Sequence, residues 1–111
     1  MANEMMLLLS RKLYEKTFQD RINWRQAPFE DAYIARIAGA DVFVKRDDYT
    51  HVEIRGSDDT IIDSLSTNDI TVPPEDRSTM RSLFDLAKRK ALGTDKVISS
   101  ILLELDDDMP F

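Results

Sequence analysis

His51 is the single histidine of the chain, and there is no cysteine. An imidazole titrates near neutrality and can serve as a general base. In Thr50-His51-Val52-Glu53-Ile54-Arg55, however, polar and apolar residues alternate as they do along a half-buried strand. His51 then falls with Glu53 and Arg55 on the polar side, with no nucleophile beside it, and reads as a solvated strand residue. Without cysteine there are no disulfides, thiolate metal sites or cysteine nucleophiles. Asp58, Asp59 and Asp63 offer the oxygen ligands that hard cations take. Their spacing fits no calcium loop, and Gly56-Ser57-Asp58-Asp59 is the composition of a turn. Glu104 and Asp106 to Asp108 read as a solubilising acidic tail. The expectation is therefore no catalytic residue, no metal and no cofactor.

Lys88-Arg89-Lys90, with Arg77, Arg81 and Lys96 nearby, could contact phosphate. The plainer reading is a helix C-terminus, where the backbone dipole favours cations. Gly-rich phosphate loops, paired-carboxylate motifs and serine elbows are absent. The net charge is −6. Residues 1–55 hold nine Lys/Arg and nine Asp/Glu, whereas residues 56–111 hold six and twelve and carry the whole excess. That balance weighs against direct nucleic-acid binding, which needs local positive charge. Trp24 and Tyr33 have the chemistry of interface anchors, although a lone Trp just after a helix also plugs a core edge.

The elements that would position these groups follow from periodicity. Leu9, Leu13, Thr17 or Phe18, and Ile22 recur at helical spacing, which predicts a helix from Asn3, as N-cap, to about Ile22. Four strands are expected within residues 32–66: 33–37, 42–46, 50–55 and 60–65. Gly39-Ala40 makes the first hairpin turn. Short connections favour an antiparallel meander of three to four strands. Pro73-Pro74-Glu75-Asp76 opens a second helix that Gly93 closes. Thr94 or Asp95 begins a third, whose Val97, Ile98, Ile101, Leu102 and Leu105 form one apolar face. The fold class is α+β, with the two C-terminal helices packed mainly on one sheet face. The other face stays wet and carries Arg36, Lys45, Glu53 and Arg55. The expected core centres on Leu13, Phe18, Val52, Ile54, Phe84, Ile101 and Leu102, and residues 105–111 are expected to fray.

Length and composition agree. The 111 residues, 42% hydrophobic and 32% charged, suit one globular domain spanning 1–111. Met5-Met6-Leu7-Leu8-Leu9 is too short and lacks the basic flank of a signal peptide. No run approaches the roughly 18 apolar residues of a membrane span. A cytoplasmic location is expected, with no membrane partner.

Several stretches resemble a group of small uncharacterised bacterial single-domain α+β proteins. They are Leu13-Tyr14-Glu15-Lys16-Thr17 with Ile22-Asn23-Trp24, Ala32-Tyr33-Ile34-Ala35, Val52-Glu53-Ile54, Ile61-Ile62-Asp63-Ser64-Leu65, and Leu83 to Leu92. The likeness spans roughly Leu9 to Leu105 and implies a shared architecture. Relatives carry an Asp-Gly pair in the third turn, where this chain has Ser57-Asp58-Asp59-Thr60. No activity comes with the resemblance.

The functional expectation is a non-enzymatic protein-binding module: an adaptor, an inhibitor or an immunity-type partner. Candidate binding residues are Trp24, Tyr33, Arg36, Lys45, His51, Glu53 and Arg55. The alternative is an acidic nucleic-acid mimic that blocks a DNA- or RNA-binding protein. Direct phosphate binding through the Lys88 region and a hydrolase built on His51 are weaker alternatives. The partner is an unknown protein or, through a sheet edge, a second copy.

Overall fold

A computed structural model describes residues 3–108. Helix α1 (Glu4–Phe18) leads into strand β1 (Arg25–Gln26), then β2 (Ala32–Ile37), β3 (Ala40–Arg46), β4 (Thr50–Arg55) and β5 (Ile61–Ser66). Helices α2 (Pro74–Leu92) and α3 (Thr94–Asp108) follow. The strands form one antiparallel sheet in the order β1-β2-β3-β4-β5. It is thus an α+β meander, with five strands where three to four were expected. The additional strand is only two residues long, pairing Arg25 with Ile34 and Gln26 with Tyr33. Two residues between Trp24 and Pro28 carry no alternation that periodicity could detect.

Helix α1 begins as expected, with the Asn3 side chain accepting hydrogen bonds from the N–H groups of Met5 and Met6. It ends four residues earlier than its apolar pattern suggested. Asp20 adopts a left-handed φ of 60°. The Asp20 and Arg21 N–H groups bond back to the Thr17 and Lys16 carbonyls, at 3.0 and 2.8 Å. This is a Schellman closure, usually given to glycine at that position. The buried stripe runs through Met6, Ser10, Leu13 and Thr17. Phe18, one residue round the helix from Thr17, is 69% exposed and not core.

The first hairpin turn is Ala38-Gly39 rather than Gly39-Ala40. Ile37 pairs with Ala40, and both loop residues have positive φ, 52° and 79°. That is the two-residue turn whose twist matches the strands. In the third turn Asp59, at φ 65°, takes the left-handed position that glycine fills most easily.

Helices α1 and α2 cover one sheet face. α2 touches β1 to β4, and α1 touches β5. Between them lie Leu13, Trp24, Tyr33, Val42, Val44, Val52, Leu65, Met80, Leu83, Phe84 and Ala87, all buried. Ile54 packs on this core while partly buried. Arg11 of α1 grips the buried carboxylate of Asp76 in α2 with two bonds, Nε to Oδ1 at 2.7 Å and Nη2 to Oδ2 at 2.9 Å.

The third helix departs from expectation. Its packing is on α2, and it does not cover the sheet. Gly93, at φ 60°, and an ion pair between Arg89 and Asp95 set its exit. The molecule is 60 Å along its longest axis, with a radius of gyration of 16.3 Å. A compact chain of this size has about 13 Å. Ile101 and Leu102, expected in the core, are more than half exposed. The physical reason is occupancy: α1 and α2 already cover all five strands. The helix continues through Asp108, into the stretch expected to fray; residues 109–111 lie outside the described residues.

Candidate functional site

The open face of the sheet holds five of the seven residues singled out for binding. Arg36 lies on β2, Lys45 on β3, and His51, Glu53 and Arg55 on β4. Register brings Lys45 opposite His51, and Phe43 opposite Glu53. Glu53, expected in water, is only 6% exposed. Lys45 Nζ lies 2.6 Å from one carboxylate oxygen and the Arg55 guanidinium 2.8 Å from the other. Burial pushes the Glu53 carboxyl up, but the hydrogen bonds and charges of Lys45 and Arg55 outweigh it and hold it below the ordinary carboxylate range. Arg55 also bonds Asp59 at 3.1 Å and lies 4.7 Å from the centre of the Phe43 ring. Phe29, from the loop after β1, stacks on Phe43 at 5.8 Å. With Ala27, Ala32 and Ile34 this makes a second, smaller apolar cluster. The central part of the face is thus a closed ion cluster under an aromatic cover, and not a wet surface. Alternation could not anticipate Phe29, which sits in a loop.

Trp24 and Tyr33 belong to the opposite face. Both are buried in the main core. Trp24 Nε1 donates to Thr17 Oγ1 at 2.8 Å, and Tyr33 meets Phe84 edge-on at 5.6 Å. Burial raises the Tyr33 hydroxyl above its ordinary range. Neither ring can reach a partner without opening the core, so they leave the set of surface anchors.

The residues with chemical potential are dispersed. His51 Nε2 lies 3.0 Å from Asp47 Oδ1. Ser66 stands across from His51 in register, but its hydroxyl accepts from the Asn68 N–H at 3.1 Å. Asp58 accepts the Thr60 N–H inside its turn. Asp63 accepts from the Asn3 side chain at 2.6 Å and from the Ser64 N–H at 2.8 Å. Among the described residues no three His, Asp or Glu converge to hold a metal ion. In the Lys88 region Arg89 pairs with Asp95 and Lys90 with Asp20, while Lys88 is exposed.

What the molecule does present is the stripe of α3. Val97, Ile98, Ile101, Leu102 and Leu105 are each between 45% and 55% exposed. On a helix of 100° per residue they share one side. Asp95 and Asp106 flank it on one edge and Glu104 on the other. The stripe was legible in the sequence as an apolar face; its lack of cover was not. A second feature, not singled out in the sequence, is an open groove of about 610 Å³ beside α1. Leu9, Leu13, Ile22 and Ile37 form its floor, and Lys12, Lys16, Arg21 and Arg36 surround it. Among the described residues no helix is long and apolar enough to cross a membrane.

The chain matches no family model, no curated protein and no solved structure.

Proposed function

We propose that the protein is a non-enzymatic protein-binding module, an adaptor, inhibitor or immunity-type partner, that works by presenting α3. The observation that carries this reading is the α3 stripe: five aliphatic side chains on one side of a 15-residue helix, about half exposed. An isolated helix of that length is marginal in water. Contiguous apolar surface of this kind marks an interaction site. A helix that lays such a face into a groove is a standard mode of recognition. A sheet edge is a poorer candidate, because the Asp63 carboxylate already takes the Ser64 N–H on the edge strand β5. An acidic nucleic-acid mimic has less to stand on. It asks for a broad array of carboxylates free to face a basic partner, and in the acidic second half Asp59, Asp76, Asp85 and Asp95 are each bonded to a neighbouring cation, whereas Glu75, Glu104 and Asp106 make no ion pair among the described residues.

The test compares biological activity in two full-length variants. Ile101→Asp with Leu102→Asp should abolish it while circular dichroism stays unchanged. His51→Ala with Asp63→Asn should leave it within a few-fold, since a catalytic base contributes about 10²–10⁴-fold. The reverse pattern, with folding intact, would move the case to an enzyme.

A further inference from the structure

We infer that the occupant of the basic groove is α3 of a second copy, so that two chains exchange helices reciprocally. The inference rests on the reading of α3 as a docking element and names its partner. The two surfaces match in shape class and in charge. The groove has an aliphatic floor, four cations around it and no carboxylate among its lining residues. Lys16 and Arg21 make no ion pair among the described residues. Lys12 and Arg36 have only distant partners at 3.5 Å, the exposed Glu15 and the half-buried Asp41. The α3 stripe is aliphatic, with Asp106 along one edge and Glu104 along the other, while Asp95 is already paired with Arg89. Seating the stripe on the floor would bring carboxylates on both edges against cations around the groove.

Two other occupants fit less well. The chain's own α3 starts close to its own groove, because Lys90 bonds Asp20 at 2.6 Å, next to Arg21. Yet the left-handed Gly93 and the Arg89–Asp95 pair send α3 outward, as the 60 Å length records. Reaching its own groove would mean rebuilding that turn. Pairing α3 with α3 sets like charges together: residues 94–108 hold five acids and one lysine. Reciprocal exchange onto α1 avoids this and closes with two-fold symmetry. It also seats two helices instead of one, which doubles the contact area toward the about 1,200–2,000 Å² of a standard interface.

Sedimentation equilibrium of the full chain tests the inference. Wild type should be a dimer at micromolar concentration and dissociate as salt rises. Ile101→Asp with Leu105→Asp, on the helix, should weaken the dimer by roughly tenfold or more, and so should Lys16→Glu with Arg21→Glu, in the groove. Adding Glu104→Lys and Asp106→Lys to the groove variant should restore it. Circular dichroism confirms that each variant is folded. A wild-type monomer would overturn the inference. So would a dimer that survives the helix variant, or one lost in the helix variant but untouched by the groove variant. None of these masses decides the docking reading itself, which falls only if the helix variant keeps full biological activity.

Discussion

Trp24 donates its indole N–H to the hydroxyl of Thr17 across 2.8 Å, and both side chains are buried. The bond ties the chain leaving α1 back onto the helix, and it explains why Thr17 and not Phe18 faces the core. Thr17→Val keeps the shape and removes the acceptor. A buried donor left without a partner costs about 1–3 kcal/mol. Urea unfolding followed by the fluorescence of the single Trp should show that loss. A change below about 0.5 kcal/mol, the range of ordinary surface substitutions, would contradict the role given to this pair.

Acid should unfold the protein through two carboxylates. The guanidinium of Arg11, bonded to Asp76, holds that carboxyl below its ordinary value of 3.8. Lys45 and Arg55 hold Glu53 below 4.5 against the opposing pull of burial. A depressed carboxylate pKa in the folded state means that the unfolded chain takes up protons first as pH falls. The stabilisation is therefore full above the ordinary values and is lost as pH drops through the folded ones. Asp76→Asn and Glu53→Gln should each lower stability at pH 7 and flatten its decline between pH 5 and the acid limit. Urea midpoints across a pH series measure this. A decline as steep as wild type in both variants would place the acid sensitivity elsewhere.

Ala38 sits at φ 52° in a two-residue turn. A left-handed conformation costs a residue with a Cβ about 1–2 kcal/mol. Ala38→Gly should therefore stabilise the protein by about 1 kcal/mol and raise its thermal midpoint. An unchanged or lower midpoint would show that the turn carries no such strain.

The parts of the fold legible in the sequence are those set by one segment's own chemistry. Asn3 caps α1, Gly93 ends α2, and alternation in Thr50–Arg55 defines β4 and its two faces. What could not be read depends on partners distant in sequence. Glu53 looks like a solvent residue until Phe29, Phe43, Lys45 and Arg55 gather around it. Trp24 is an anchor or a plug according to what faces it, and Thr17 and the core decide for the plug. The α3 stripe has the periodicity of a core helix. Only the prior occupancy of the sheet by α1 and α2 turns it into surface, and no local pattern encodes that. The groove beside α1 is likewise assembled from the helix, the segment after it and the end of β2.

Completion of α3 by contact with another chain, a second copy seating it beside α1, is open to a direct test. Amide hydrogen exchange of the full chain, followed as a function of protein concentration, tests it most directly. Exchange over residues 94–108 should be fast in dilute solution, because a helix of this length that packs only on α2 is marginal. Protection there should rise with concentration, in step with the surface around Lys12 to Ile22, while β3 and β4 stay equally protected throughout. Residues 94–108 protected as strongly in dilute solution as in concentrated solution would contradict it.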